Sequence, residues 1–287
     1  MPLLRTEAPG EAMPEYLDAT RIRALAAALD LRPSKGRGQN FLFDANTVRR
    51  IVGLAEVTSE DTVLEVGPGL GSLTAGLLHT GAHVVAVEIE PTLARQLPKT
   101  MAHLAPATHT NLTVIETDAL RMTPPTPQPN TLVANLPYNI SVPVILHILA
   151  TFPTITRGLV MVQLEVADRL AAPPGSRVYG IPSAKLAWYA STSRVGTVPA
   201  TVFWPAPNVE SGLVNFHRHD PPDADREATF ALIDAAFSQR RKMLRSVLGK
   251  VYGPAIHQAL EQAGINPEAR GETLSIYDFA KLSTFLT

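Results

Sequence analysis

The chain has 287 residues, with 25 Lys plus Arg against 26 Asp plus Glu, so its formal net charge at pH 7 is −1. Hydrophobic residues make up 45% and charged residues 18%, a composition that can bury a large core and excludes a globally disordered chain. The absence of cysteine excludes disulfide scaffolds, zinc knuckles, iron–sulfur clusters and thiolate nucleophiles. The length predicts one large domain, alone or with a smaller appendage.

Neither the first 20 residues nor the least charged stretch has the pattern of an exported or membrane-bound protein. The first 20 residues carry four acidic residues where a signal peptide would have an apolar core. The longest run without a charged residue, 122–156, is interrupted by seven prolines, so it lacks the continuous apolar stretch of a membrane span. We therefore expect a cytoplasmic protein without a membrane partner, which the absence of cysteine also fits.

The first predicted elements are two helices that precede a long α/β region. One is an amphipathic helix over Arg21–Leu31, and Asp44 is suited to cap a second helix that ends near Ala55. From Thr62 onward, short β-branched runs alternate with helical segments, which predicts a doubly wound, mostly parallel Rossmann-like sheet. The predicted strands are Thr62–Val66, His83–Ile89, Asn111–Glu116, Thr131–Leu136 and Gly158–Gln163, and the predicted helices are Ser72–His79, Pro91–Leu104, Ser141–Thr151 and Leu164–Ala171.

The last part of the chain predicts an antiparallel closure of the sheet and then a small all-α domain. Two β-rich runs, Gly196–Phe203 and Gly212–His217, follow one another without a long helix between them, as in a hairpin. A polar linker at 219–225 separates them from helical segments at Arg226–Tyr252, Ala255–Gly264 and Ser275–Thr287. These boundaries predict an N-terminal extension (1–20), an α/β domain (21–218) and a C-terminal helical domain (219–287).

A glycine-rich loop follows the first predicted strand of the sheet. Gly67, Gly69 and Gly71 allow the backbone to turn sharply and to approach a ligand closely. Their spacing, with Ser72 at the sixth position, suits S-adenosylmethionine better than the pyrophosphate of a dinucleotide. A nicotinamide-dependent oxidoreductase is therefore a weaker alternative, because the sequence also shows no acid suited to hydride transfer. No lysine lies in the loop, which excludes a P-loop.

Two acidic residues end the next two predicted strands. Glu88 follows Gly67 by 21 residues and is placed to accept hydrogen bonds from both hydroxyls of a ribose. Asp118 follows the third strand, where it could accept a proton from the amino group of an adenine ring. Together with the glycine loop, these two carboxylates predict an adenosyl cofactor, S-adenosyl-L-methionine.

The fourth predicted strand ends in the residues that predict the chemistry, Asn135, Leu136, Pro137 and Tyr138. The amino group of a nucleobase is a poor nucleophile because its lone pair is delocalised into the ring. The side-chain oxygen of Asn135 and the carbonyl of Leu136 could both accept from that amino group, which favours a pyramidal nitrogen. Tyr138 would stack on the base and hold it for in-line attack on a methyl group.

Five motifs in this order resemble the ribosomal RNA small-subunit adenine dimethyltransferases, the kasugamycin-sensitivity family, and the similarity runs from Gly38 to the end of the chain. They are Gly38–Leu42, Glu65–Gly71, Asn135–Ser141, Phe203–Ser211 and Ala236–Lys242. The resemblance implies cofactor contacts at Asn40, Leu42, Gly67, Glu88, Asp118 and Asn135. It also implies that Phe203 flanks the target base opposite Tyr138.

The same resemblance implies the substrate and the biological setting. The product would be N6,N6-dimethyladenosine at two adjacent adenosines near the 3′ end of 16S rRNA, within a small ribosomal subunit precursor. The protein would thus act in ribosome biogenesis, as a monomer. The sequence departs from many relatives at Arg37, where an aromatic residue often stands, and at Ile181–Ser183, so the details of RNA contact stay open.

Two segments are locally basic although the whole chain is not. Residues 21–50 contain seven Lys or Arg and two acids, and residues 238–250 contain five and none, so each has a local charge of +5. Such patches predict phosphate contacts. The candidate RNA-binding residues are Arg37, Arg240, Arg241, Lys242 and Arg245. In the second segment, Phe237, Leu244, Leu248 and Val251 predict an apolar stripe that packs on the domain below.

Three further interpretations stay open or are set aside. Methylation of 23S rRNA by an enzyme of the antibiotic-resistance type is an alternative, because the motifs of the two groups overlap. A non-catalytic ribosome assembly factor that keeps the fold is another, although an intact Asn135–Tyr138 motif favours an enzyme. No metal site is predicted, since His217 and His219 have no third ligand nearby in the sequence.

Overall fold

The structure is a computed structural model that describes residues 15–31 and 39–286. Arg37 and most of the predicted basic loop lie outside the described residues. The helices are α1 (Ala19–Ala28), α2 (Ala45–Leu54), α3 (Ser72–Leu78), α4 (Pro91–Leu104), α5 (Ser141–Thr151), α6 (Leu164–Leu170), α7 (Ile181–Leu186), α8 (Arg226–Phe237), α9 (Leu244–Tyr252), α10 (Ala255–Ala263) and α11 (Ile276–Ser283). The strands are β1 (Phe41–Leu42), β2 (Thr62–Val66), β3 (His83–Glu88), β4 (Leu112–Glu116), β5 (Thr131–Asn135), β6 (Arg157–Gln163), β7 (Ala190–Val198), β8 (Phe203–Trp204) and β9 (Ser211–Arg218).

A seven-stranded sheet in the order β4-β3-β2-β5-β6-β9-β7 forms the centre of the molecule. The first five strands in this order, β4, β3, β2, β5 and β6, are parallel. Strand β9 runs antiparallel to both β6 and β7. Strands β2, β3 and β5 are almost entirely buried, as expected of parallel strands that are covered on both faces. The predicted fold class is confirmed. Because the strand order reverses between β2 and β5, the carboxyl ends of these strands open onto a ligand crevice.

Local sequence signals explain where the main helices begin. The side chain of Asp44 accepts a hydrogen bond from the Thr47 amide at 2.6 Å, and Asp225 accepts one from the Ala228 amide at 2.7 Å. Both carboxylates satisfy backbone donors that a helix leaves free in its first turn. Pro91 occupies the first turn of α4, where its missing N–H costs no hydrogen bond. The helices predicted at Pro91–Leu104 and Ser141–Thr151 have the bounds that the sequence indicated.

The predicted hairpin exists, but its first strand lies earlier in the chain than expected. Strand β7 covers Ala190–Val198 and pairs with β9, whereas Phe203 belongs to the separate strand β8. Pro199 follows β7 directly and cannot donate a ladder hydrogen bond, so the chain leaves the sheet there. Strand β8 instead pairs antiparallel with β1, with Leu42 opposite Phe203. This small second sheet brings the segment after Gly38 next to the main sheet.

The single helix predicted over Arg226–Tyr252 is wrong, because the chain breaks between α8 and α9. The Leu244 amide donates to the Ala269 carbonyl at 2.8 Å, so a distant loop takes the donor that a continuous helix would use internally. The break places three consecutive cations, 240–242, in a turn instead of a helix. The predicted stripe is correct for Leu244 and Leu248, which are buried, and wrong for Val251, which is 62% exposed.

The helical C-terminal region and the N-terminal segment both pack on the α/β domain. One continuous apolar core contains residues of β5, β6 and α5 together with residues of α8 to α11. The Tyr179 hydroxyl donates to the Leu274 carbonyl at 2.9 Å, which ties the segment before α7 to the C-terminal region. In the N-terminal segment, Leu17 and Ile22 are buried in the core around α2 and α3. Across the parts of the chain that the structure describes, no helix has both the length and the apolar character to cross a membrane.

Candidate active site

A cavity of about 480 Å³ lies at the carboxyl edge of β2, β3 and β5. Its walls come from four segments that are distant in the sequence: the residues around β1, the glycine loop, the end of β3 and the loop after β5. The lining residues are Gln39–Leu42, Glu65, Gly67–Leu70, Ser72, Leu73, Glu88–Glu90, Leu93 and Asn135–Ile140. Most of the predicted cofactor and catalytic residues therefore share one cavity.

The three loop glycines do not all serve the same purpose. Gly67, Gly69 and Gly71 have φ angles of 69°, 58° and 98°, which glycine tolerates and other residues rarely adopt. A Cβ atom at Gly69 would lie 3.0 Å from the Phe41 ring, so its absence lets this ring close over the loop. Gly71 does not line the cavity, and a Cβ atom there would lie 2.6 Å from the Met101 side chain. It is needed for helix packing.

Glu88 joins the end of β3 to the glycine loop. Its Oε2 accepts a hydrogen bond from the Gly69 amide at 3.2 Å, and its Oε1 accepts one from the Glu90 amide at 3.0 Å. The residue is 6% exposed, and this burial raises the pKa of its carboxyl group while the loop amides oppose the shift. Each carboxylate oxygen still has capacity for one further donor, such as a ribose hydroxyl.

Glu65 is a site residue that our sequence analysis did not single out. It lies within the buried strand β2, is 1% exposed, lines the cavity and has no hydrogen-bond partner for its Oε2 among the described residues. Burial raises the pKa of its carboxyl group to about 8, and the nearby Glu88 carboxylate adds to the shift. An acid between Leu64 and Val66 was the available signal, because a carboxylate in an apolar strand needs a reason to be there.

Asp118 lies beyond β4, at the same edge of the sheet as Glu88, but outside the cavity lining. Its Oδ1 accepts a hydrogen bond from the Leu120 amide at 2.9 Å, and the Arg121 guanidinium lies 3.9 Å from its Oδ2. These contacts fix the turn after the strand. Contact between Asp118 and an adenine ring stays a prediction.

Two backbone carbonyls hold the Asn135–Tyr138 motif, one at each of its first two residues. The side-chain Nδ2 of Asn135 donates to the backbone carbonyl of Asn40 at 3.5 Å. This contact leaves the side-chain oxygen of Asn135 for a ligand donor. The Leu136 amide donates to the Met161 carbonyl of β6 at 3.0 Å. The motif is therefore fixed before any substrate arrives, which lowers the cost of binding it productively.

Of the predicted aromatic pair, Tyr138 and Phe203, only Tyr138 is among the residues that line the cavity. Tyr138 lines the cavity, whereas Phe203 is 3% exposed and packs in the core through the pairing of β8 with β1. The neighbouring Trp204 stacks on Phe41, with ring centroids 6.4 Å apart. The structure thus does not bring Phe203 to the cavity, because its strand directs it into the core. Its role opposite Tyr138 stays a prediction.

Strand β1 closes one side of the site, and Ser72, the sixth residue of the glycine pattern, holds it there. The Ser72 hydroxyl donates to the Leu42 carbonyl, so the first turn of α3 is joined directly to β1. Asn40 and Leu42, the two predicted cofactor contacts in this segment, both line the cavity. A serine at position 72 is therefore used for a hydrogen bond that glycine or alanine could not make.

The candidate RNA-binding residues of the C-terminal region fall into two groups. Arg240 pairs with Glu272 at 2.8 Å and also donates to a backbone carbonyl of the 172–180 segment, and Arg245 pairs with Glu268 at 3.1 Å. Arg241 and Lys242 are exposed and form no ion pair within the described residues. The second pair is therefore better placed to meet phosphate groups. Within the same described ranges, no group of three or more potential metal ligands occurs.

Comparisons with known proteins identify the family of this chain. Residues 32–287 match the family described as ribosomal RNA adenine dimethylase. The chain belongs to this family. It is 56% identical over 276 residues to ribosomal RNA small subunit methyltransferase A of Cutibacterium acnes, covering 93% of each protein. The protein of the same name from Thermobifida fusca is 57% identical over 267 residues, covering 91% of this chain and 93% of that protein.

Solved structures of related proteins have the same fold as this family member. The crystal structure of the 23S rRNA methyltransferase ErmE aligns with a TM-score of 0.63 and 27% identity, over 86% of this chain and 99% of that one. A dimethyladenosine transferase from Plasmodium falciparum aligns with a TM-score of 0.70 and 23% identity, over 84% and 95% of the two chains. The second likeness concerns the fold alone.

S-adenosylmethionine, the methyl donor of this family, fits the residues that are present. Gly67 and Gly69 of the glycine loop line the cavity, and the buried Glu88 carboxylate lies beside them. The Glu65 carboxyl group, whose Oε2 has no hydrogen-bond partner among the described residues, can ionise when a cationic ligand lies beside it. These features suit a molecule that combines a ribose with positive charge.

Proposed function

We propose that this protein transfers methyl groups from S-adenosylmethionine to the N6 atoms of two adjacent adenosines near the 3′ end of 16S rRNA. The observation that carries the proposal is the placement of Asn135 and Tyr138 in one cavity with Glu65 and Glu88. The choice of the small subunit is supported by the relatives that share more than half of this sequence, all named as small-subunit enzymes. The related 23S enzyme shares much less.

The chain's own residues make the target nitrogen reactive and hold it in place. In the first transfer the Asn135 side-chain oxygen and the Leu136 carbonyl accept hydrogen bonds from the two N6 protons, and in the second transfer one of them accepts from the remaining N6 proton, so the nitrogen lone pair is no longer delocalised into the ring. Tyr138 stacks on the base and keeps that nitrogen pointed along the line of attack. Bound S-adenosylmethionine supplies an electrophilic methyl group, and the proton leaves to water after transfer. No side chain needs to act as a general base.

The remaining features of the proposal concern partners and setting. The α/β domain, 21–218, performs methyl transfer, and the helical domain, 219–287, contributes cations that hold the RNA backbone. The substrate is 16S rRNA within a small-subunit precursor, so the protein acts during ribosome biogenesis. It works as a monomer in the cytoplasm.

A direct test compares the two ribosomal RNAs. Purified protein is incubated with isotopically labelled S-adenosylmethionine and with 16S or 23S rRNA in precursor particles, and nuclease fragments are analysed by mass spectrometry. We expect two dimethylated adenosines in one 16S fragment and no label in 23S. Label confined to 23S would favour the resistance-type enzyme, and no label in either RNA would favour a non-catalytic assembly factor.

Removal of the Glu88 carboxylate should weaken cofactor binding. Glu88→Ala deletes charge-assisted hydrogen bonds worth roughly 1.5–3 kcal/mol, which corresponds to about a ten- to hundredfold increase in Kd. Calorimetric titration with S-adenosylmethionine measures this change. Glu116→Ala is the matched control, since Glu116 is the register neighbour of Glu88 on β4 and is exposed. Equal affinity of both variants would contradict the assignment of Glu88.

Removal of two exposed cations should weaken RNA binding and reduce its dependence on salt. The double variant Arg241→Ala/Lys242→Ala loses up to two phosphate contacts, each adding about 0.7–0.9 to the slope of log K against log salt. We therefore expect the slope to become shallower by roughly one to two units. Filter binding across a salt series provides the measurement.

The matched control for this pair removes the same charge from another surface. Arg95 and Lys99 are exposed on α4, so Arg95→Ala/Lys99→Ala tests whether net charge alone explains a loss. If both double variants shift the slope equally, the C-terminal turn is not a specific RNA contact. Cofactor affinity should stay unchanged in both variants.

A further inference from the structure

Tyr138 is held at the far end of its side chain by a residue that lies outside the cavity. Its hydroxyl group lies 2.7 Å from the Oγ atom of Ser211, which is 73 positions away in the sequence. Ser211 is 0% exposed and does not line the cavity. Among the described residues, the Tyr138 hydroxyl is the only hydrogen-bond partner of the Ser211 side chain. The two hydroxyls therefore satisfy each other.

Ser211 is itself fixed by the sheet. It is the first residue of β9 and lies opposite Gln163 of β6 on one side and Val198 of β7 on the other. The amide of Leu164 donates to the carbonyl of the preceding residue, Glu210, at 3.0 Å. The hydroxyl of Ser211 is thus carried by a backbone that is paired on both sides, which makes it a rigid anchor.

The bond between these hydroxyls spans one strand of the sheet. Tyr138 follows β5, Ser211 begins β9, and β6 lies between these strands. A tyrosine in a loop can rotate about both side-chain torsions, and a hydrogen bond at its hydroxyl removes that freedom. Burial raises the pKa of the Tyr138 hydroxyl, so the group stays protonated and able to share its proton with Ser211.

We infer that Ser211 is a positioning residue that sets the plane of the Tyr138 ring for stacking on the target base. The inference rests on the proposed methyl transfer and adds to it a residue that does not touch substrate. Productive transfer needs the reacting nitrogen in a narrow geometry, so a ring held in one orientation raises the fraction of productive encounters.

The test is a double-mutant cycle between the two hydroxyls, measured in the full chain. Ser211→Ala and Tyr138→Phe should each lower kcat for RNA methylation about tenfold, the size expected for one hydrogen bond. The double variant should be no slower than either single variant, because both changes remove the same interaction. The Kd for S-adenosylmethionine and the KM for RNA should change by less than about twofold.

Thermal stability separates positioning from a purely structural role. A structural role predicts a lower Tm in Ser211→Ala with an unchanged kcat, which would overturn the inference, as would losses that multiply in the double variant. Ser193→Ala is the control. The Ser193 hydroxyl donates to the Asn215 side chain at 2.6 Å, across the exposed edge of the β7–β9 pair. This variant should have the kcat of the wild type.

Three outcomes keep the test decisive. If Ser211→Ala does not fold, Tyr138→Phe alone decides, because the ring is retained and a wild-type kcat would overturn the inference. If the wild-type protein methylates no RNA, the proposed function fails. If the wild type is active and both single variants match it, only the positioning role fails.

Discussion

Asn135→Ala is expected to lower the rate of methyl transfer by about a hundredfold, in the range found when one preorganised polar group is removed from a transition-state site. The Asn135 oxygen interacts most strongly when the target nitrogen becomes pyramidal, so its loss affects the transition state more than the bound substrate. Alanine also releases the contact between the Asn135 amide and the Asn40 carbonyl, and a modest loss of cofactor affinity should follow. Single-turnover methylation of precursor particles measures the chemical step.

Two controls define this result. Asn46→Ala makes the same substitution at an exposed position of α2, where the Asn46 oxygen accepts from the Arg49 side chain, and should leave the rate unchanged. RNA affinity of Asn135→Ala should stay within about threefold of the wild type, since the phosphate contacts that dominate binding are not altered. A single-turnover rate within a factor of about two of the wild type would exclude the mechanism proposed for Asn135.

Glu65→Gln is expected to change the pH dependence of stability by several kcal/mol. Burial raises the pKa of the Glu65 carboxyl group from an ordinary 4.5 to about 8 in the folded protein. Between these values the folded state holds one proton more than the unfolded state, so the stability of the wild type falls as pH rises. Each pKa unit corresponds to about 1.4 kcal/mol, so the accumulated loss by about pH 8 is large on the scale of protein stability. Glutamine does not titrate and should remove this loss.

Urea unfolding at several pH values between about pH 5 and pH 9 measures the effect. The free energy of unfolding of Glu65→Gln relative to the wild type should increase steadily with pH across this window and level off above it. Glu60→Gln is the control, because Glu60 is exposed just before β2 and should not change the slope. Parallel pH profiles for the wild type and Glu65→Gln would show that Glu65 does not titrate in this window.

Cofactor binding should depend on the same carboxyl group in the opposite direction. A positively charged ligand beside Glu65 favours the ionised form, so the affinity of the wild type for S-adenosylmethionine should rise with pH through about pH 8, where half of the groups are ionised in the free protein, and level off above it. Glu65→Gln should bind more weakly and with less dependence on pH. The variant would then be more stable at high pH and a poorer cofactor binder, which a general loss of folding could not produce.

Local sequence patterns are enough to predict the sheet and the chemical groups along its edge. Alternating strands and helices predict a parallel sheet, and the carboxyl ends of parallel strands meet at one edge. Because of this, the glycine loop, Glu88 and Asn135 could be placed together without knowledge of any long-range contact. Aspartate caps and proline positions likewise fixed the ends of several helices, since those preferences depend on neighbouring residues alone.

The break between α8 and α9 marks where local pattern stops being sufficient. Residues 226–252 are helical in composition, yet the Leu244 amide bonds to the carbonyl of Ala269, a partner that no local pattern indicates. The same limit applies to Phe203, which the family resemblance placed opposite Tyr138. Its strand pairs with β1 and directs the ring into the core.

The pairing of polar atoms, in contrast, depends on contacts between distant segments. The Asn40 carbonyl reaches Asn135 across 95 positions, and Ser211 reaches Tyr138 across 73, so neither contact follows from periodicity or spacing. The pKa of Glu65 depends in the same way on how completely the surrounding elements exclude water from its carboxyl group. Local sequence sets the conformational preference of each segment, whereas partners and burial arise only when segments far apart in the chain pack together.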